Sequence, residues 1–246
     1  MKQKIIFSTL ILFYLLSNCS SDNQTSNNFL PNATGTESEM LIVMDSSKFK
    51  NNLGRSLINV FGENIYGLPQ PEPYFDLKYI RPNNFNNILK FAKNIIITFT
   101  LEGNSPSSRL LRKEFNQSSI EKIEKDTSLF MMIKKDQYAK GQEILYLFSK
   151  DDSTLLEHIK KNKNKLRNYF ENRVIKNVNK KKLSNTNKNI SKDLIKRFGY
   201  NITVPSGFSI GKLDSQFVWL REIDPELEKN IFIYFENYIS DEIFYK

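Results

Sequence analysis

Cysteine, histidine and tryptophan each occur once in these 246 residues, and each scarcity closes off a class of function. A single cysteine, Cys19, cannot form an internal disulfide, so the fold must rest on apolar burial. One histidine and one cysteine cannot supply the four nitrogen and sulfur ligands of a structural zinc site, and neither metal nor cofactor is expected. Glycine is scarce too, at nine residues. Gly207 and Gly211 flank a turn and a strand instead of opening a helix, which leaves no phosphate-cradling loop. The longest apolar stretch, Ile5 to Leu16, is 12 residues, short of the roughly 20 a helix needs to cross a bilayer.

What that stretch does fit is an export signal. Lys2 and Lys4 supply a basic start, the apolar run follows, and Leu16-Ser17-Asn18-Cys19 closes it as a lipobox, although Asn18 stands where a small residue is usual. The expectation is cleavage after residue 18 and acylation of Cys19 with diacylglycerol and further chains such as palmitate. Several acyl chains hold a protein on its membrane where one does not. Residues 19–38 are dense in Ser, Thr and Asn and read as a flexible tether, so one α+β domain is expected over 39–246. No acidic run follows Cys19, which favours the periplasmic face of the outer membrane over the cell surface.

The formal charge of +9 is unevenly spread. Between Glu157 and Arg197 there are 14 Lys and Arg against three acids, so the rest of the chain is slightly acidic. A lysine-rich helix face is commonly just a solvated one in a Lys-, Asn- and Ile-rich chain. The sharper expectation is contact with anionic headgroups or phosphates through Lys160, Lys161, Lys163, Lys180, Lys181 and Lys182, each attracted by about 1 kcal/mol near a charged surface. Nucleic acid is not expected as a partner, since an exported protein seldom meets it.

Along the chain, Met40 to Met44 (MLIVM) and Asn94 to Leu101 (NIIITFTL) are short apolar runs that suit buried strands. Ser46 or Ser47 is placed to cap a helix carrying Leu53, Leu57, Val60 and Phe61. The three prolines of Leu68 to Pro73 impose an extended path into a strand at Tyr74 to Ile80. Asn84 to Ala92 is a short helix candidate, and Ser105 to Lys125 is helical or irregular. Leu129 to Ile133 and Glu143 to Phe148 form a strand pair. Asp152 to Lys182 reads as one long basic helix opened by a capping box at Thr154 and Glu157. A shorter helix capped by Ser191 runs to Phe198, and strands follow at Asn201 to Pro205, Phe208 to Leu213, Phe217 to Arg221 and Ile231 to Tyr234. The fold class expected is α+β: antiparallel sheets with flanking helices, in two ferredoxin-like halves, 39–150 and 151–246.

Leu68 to Pro73 (LPQPEP), Phe75 and Lys93-Asn94-Ile95-Ile96 resemble a family of bacterial envelope lipoproteins known as domain-of-unknown-function family 4837. Tyr138 to Gln142, Trp219 to Glu222 and Ile231 to Tyr234 add to the likeness, which runs from about Glu39 onward. The resemblance implies an envelope address and no reaction. It also implies a further segment beyond Lys246.

Single residues weigh toward structure. His158 has no serine or carboxylate pair beside it in sequence, so a surface position is expected rather than acid–base work. Glu72 and Asp76 lie close in sequence, which does not establish the separation glycoside hydrolysis needs. Asp152-Ser153-Thr154 matches a short O-glycosylation pattern but fits a helix cap better. Trp219, in an alternating strand, reads as a core or sheet-face aromatic before a sugar platform. The function expected is therefore binding or scaffolding: a membrane-tethered, periplasm-facing lipoprotein that holds an envelope protein or glycan. The alternative is an enzyme acting on an envelope polymer.

Overall fold

The computed structural model describes residues 29–225 and 228–244; the expected signal segment, Cys19 and the first part of the expected tether lie outside the described residues. The chain divides into two compact units, one up to Tyr169 and one from Phe170. The division falls inside a helix and not near residue 150.

The first unit is built on three strands with no exposed position: β1 (Glu39–Met44), buried from Met40 onward, β3 (Asn94–Thr100) and β5 (Glu143–Ser149). Such strands are apolar on both faces because helices cover both faces, and that is the mark of a parallel sheet centre. The order is β2-β1-β3-β5-β4, with β2 (Asp76–Ile80) and β4 (Met131–Lys135) at the edges. The pairings β1–β2, β1–β3 and β3–β5 are parallel, and only β4–β5 is antiparallel. The α+β class stands, with this mixed sheet beside a purely antiparallel one. The ferredoxin-like halves do not. Two helices separate β1 from β2, and a crossover of that length returns the chain in the same direction.

Between β1 and β2 lie α1 (Ser46–Lys50) and α2 (Asn52–Phe61). Asp45, not Ser46 or Ser47, caps α1 by accepting from the Ser47 amide at 2.8 Å. After β3 come α3 (Pro106–Arg112) and α4 (Gln117–Lys125). Their buried Leu111 and Ile123 pack with Leu41, Val43, Ile95, Ile97, Phe99 and Tyr146 from one sheet face. The region from Asn84 to Ala92 forms two short 3-10 turns, Pro82–Asn84 and Leu89–Phe91, in place of a helix. The tether composition continues to Ser38, yet its backbone is already paired: Ala33 donates to Lys140 O and Thr34 to Phe91 O, both at 2.8 Å.

The long basic helix is two. α5 (Asp152–Lys161) ends at Asn162, and α6 (Lys163–Lys182) begins after it. The Asn162 amide donates to the His158 carbonyl at 2.9 Å, the local competition with backbone bonding that makes asparagine a poor helix-interior residue. Asp151, three residues ahead of the expected box, caps α5 by accepting from the Thr154 amide.

In the second unit, α7 (Lys188–Phe198) packs on an antiparallel sheet of β6 (Ser209–Leu213), β7 (Phe217–Glu222) and β8 (Lys229–Tyr234), in the order β6-β7-β8. Ile190, Leu194, Val204, Phe208, Val218 and Leu220 form the core. Asn187 caps α7, since its side chain reaches the Ile190 amide, whereas Ser191 Oγ donates back to the Asn187 carbonyl. Asn201 to Pro205 carries no strand, only an isolated bridge from Pro205 to Thr186.

Candidate functional site

α2 buries Leu53, Leu57, Val60 and Phe61 and turns Asn52, Arg55 and Asn59 outward. These three recur at three and four residues and so form one polar stripe. α5 packs against α2 with Leu155 and Ile159 buried, and its own spacing sets Ser153, Leu156 and Lys160 in a second stripe. Between them run two clefts of about 380 Å³ and about 390 Å³ that share Asn52, Arg55 and Leu156, and together make one groove. Asp152 and Ser153 line one end; Asn59, Lys160 and Lys163 line the other.

The Asp152 end is anchored at the carboxyl edge of the parallel strands, where open α/β sheets place their ligands. Lys48, from α1, is buried at 7% exposure. Its ammonium donates to Thr100 Oγ1 at 2.8 Å and closely to Asp152 Oδ1, with Glu102 Oε1 3.8 Å away. Thr100 Oγ1 also donates to Asp152 Oδ1 at 2.7 Å. An ammonium so engaged spends its donors inside the clamp and does not face the groove's contents. At the end of β1, burial pushes the Asp45 carboxyl up, but hydrogen bonds from Ser105 and Ser47 and the Lys48 charge outweigh it and hold the group below its ordinary value. This network clamps the strand ends and fixes the groove's inner wall.

The groove itself is cationic. Lys163 is neutralised by Glu63 at 2.8 Å, and Asp152 by Lys48. Among the described residues, Arg55 and Lys160 enter no ion pair, and both are exposed. Arg55 and Lys160 thus bring two like charges to the same cleft from its two sides.

Of the lysines singled out by sequence, Lys160 and Lys163 line this groove. Lys161 is exposed on α5 without lining it, and Lys180, Lys181 and Lys182 close α6 in the second unit, where Lys182 lies 3.8 Å from Glu222. His158 Nε2 lies 2.7 Å from the Thr127 carbonyl, and its ring stacks on Phe130 at 4.6 Å, so it braces α5. Sequence reading missed Arg55, Asn52 and Asn59. Their three-and-four spacing opposite the apolar stripe was the available signal.

Residues 33–182 match the family model described as Domain of unknown function (DUF8532), and residues 187–246 match Domain of unknown function (DUF4837). The groove thus falls in the first match and the three-stranded sheet in the second, so the resemblance that was expected from Glu39 onward is supported over the last 60 residues. No curated protein and no solved structure matches the chain.

Proposed function

For a chain that belongs to the DUF8532 family across residues 33–182, we propose a binding protein of the bacterial envelope, lipid-anchored through Cys19 and facing the periplasm, whose α2–α5 groove holds an anionic envelope partner. The observation that carries the reading is the pair Arg55 and Lys160, unpaired on one cleft. Amide groups from Asn52 and Asn59 beside them suit a hydroxylated, charged chain better than an apolar helix. An enzyme would need a general base in the groove; the sole histidine is spent on Thr127 and Phe130 and the one groove carboxylate, Asp152, is bonded by Lys48 and Thr100, which is why binding is favoured.

The test uses the full chain with two probes, polyuronate oligomers and phosphatidylglycerol vesicles. Each exposed cation contributes about 1 kcal/mol toward an anionic surface. Arg55→Glu with Lys160→Glu should therefore weaken polyuronate binding at least tenfold, with the salt dependence flattened because such charges are screened over about 8–10 Å. Unchanged affinity in that variant overturns the groove. Replacing Lys180, Lys181 and Lys182 by Gln separates the vesicle arm; loss there and not at the groove would move the site to α6. For the anchor, Cys19→Ala should shift the protein from membrane pellet to soluble fraction, and an unmodified mature N-terminus at another residue would refute it. Protease shaving of intact cells should leave the wild-type chain whole.

A further inference from the structure

The three-stranded sheet of the second unit has one buried face and one open face, and the open face is aromatic. β7 alternates half-buried Phe217, Trp219 and Arg221 on this face with fully buried Val218 and Leu220 on the other, and β8 sets the exposed Phe232 and Tyr234 opposite them. Phe232 is 63% exposed and Tyr234 62%. Exposed rings scattered singly need no explanation, but a contiguous row does.

The rings lie flat on the sheet. A Cβ built on Gly211, in the neighbouring strand β6, would fall 2.7 Å from Cδ2 and 2.8 Å from Cε3 of Trp219, so the indole occupies the space directly above that backbone. Only glycine leaves room for it. Phe232 lies 6.0 Å from Trp219 with 29° between the planes, and Phe217 lies 6.0 Å from Phe232 with 17° between them. At 6.0 Å and such low angles neighbouring rings are offset along their planes instead of sandwiched, so no ring fully covers the face of the next. Trp219 Nε1 donates to Asn230 Oδ1 at 2.6 Å, which fixes the indole before any ligand arrives. Arg221 Cζ lies over the Trp219 ring, 5.5 Å from its centroid, and Lys212 Nζ over the Phe217 ring at 5.7 Å; both are long side chains that a sugar would swing aside, bringing their N–H donors to its edge.

We propose that this face is a carbohydrate platform that takes an extended glycan chain of about three sugar units, one per ring. The C–H-rich face of a pyranose is slightly positive and meets the negative face of an aromatic ring, while the flanking Arg221, Lys212 and Asn230 offer polar groups to its hydroxyls. A second copy of the chain is a poorer occupant. Three short strands spaced about 5 Å apart present a few hundred square ångströms, against the roughly 800 Å² per partner of a stable interface. The site is separate from the α2–α5 groove and does not depend on it.

Trp219 is the only tryptophan, so its emission reports this face alone. Full-length protein is titrated with cellohexaose, chitohexaose and maltohexaose and with the corresponding monosaccharides. At least one hexasaccharide should shift the emission saturably, with an affinity ten or more times that of its monomer. Phe232→Ala, which removes the middle ring, should weaken that response at least tenfold. Gly211→Ala, which tilts the indole with the rings still present, should weaken it comparably, with an unchanged circular dichroism spectrum showing the sheet intact. The Arg55→Glu, Lys160→Glu variant should keep the full response. Silence from all three hexasaccharides overturns the platform, as does a response that Phe232→Ala leaves intact. An emission change that follows protein concentration, with sedimentation showing a dimer, would assign the face to self-association and equally overturn it.

Discussion

Deleting Asp152 should cost more stability than deleting Lys48, although the two form one ion pair. The asymmetry comes from exposure: the Lys48 side chain is 9% exposed, that of Asp152 38% and that of Glu102 49%. Asp152→Ala strands an ammonium away from water, with Thr100 and a more distant Glu102 for company. Breaking a buried pair in this way costs about 3–5 kcal/mol at full burial; with the remaining partners we expect about 2–3 kcal/mol. Lys48→Met keeps the chain volume and lets the half-exposed Asp152 rehydrate while Thr100 still donates to it, so about 1 kcal/mol is expected. Adding Lys48→Met to Asp152→Ala should then restore stability, because it removes the stranded charge. Urea unfolding of each variant, followed by far-ultraviolet circular dichroism at constant slope, reads all three values. If Lys48→Met is as damaging as Asp152→Ala, or if the double variant is the least stable, the desolvation argument fails.

Acid should weaken the first unit in a defined window. Asp151 is brought down to about 2 by hydrogen bonds from Ser153 and from the Thr154 amide, and Asp45 is also held low. A carboxyl depressed in the folded state stabilises it above the unfolded value of about 3.9 and loses that contribution as pH falls through the folded value. The urea midpoint should be level from about pH 7 to 5 and fall between about 4 and 2, and Asp45→Asn should make that fall shallower; an identical acid profile in the variant would contradict the assignment. Gly54→Ala should destabilise by more than about 2 kcal/mol even though alanine is the better helix former by about 1 kcal/mol, because the added methyl would run into the Phe49 carbonyl oxygen; a thermal melt at or above wild type would refute this. Asn187→Ala removes the cap on the Ile190 amide and should cost about 1 kcal/mol, read through Trp219 emission in the second unit during unfolding.

Strand positions were legible from residues alone. Met40 to Met44 and Ile95 to Phe99 are short, largely apolar and rich in β-branched residues, which suits a buried strand better than a helix of that length. The stripes of α2 and α7 and the prolines of Leu68 to Pro73 were equally local signals. Strand direction was not local. MLIVM carries the same composition whether its neighbour runs with or against it, and the parallel order followed only from where the crossover helices returned the chain. Helix termini were decided by side-chain bonds two to three residues long, so Asp45, Asp151 and Asn187 displaced the serine and threonine caps that spacing favoured.

By itself, then, the sequence determined the apolar runs, the uneven charge and the export-signal pattern around Cys19, because each depends on neighbours along the chain. Only the tertiary structure decided which distant residues meet. Lys48 joins Asp152 across 104 positions, since both stand at carboxyl ends of parallel strands. Arg55 and Lys160 share a cleft because α2 packs on α5. Trp219 lies flat because a neighbouring strand offers glycine at position 211. Contacts of that kind are set by register and packing, which a linear chain does not display until it folds.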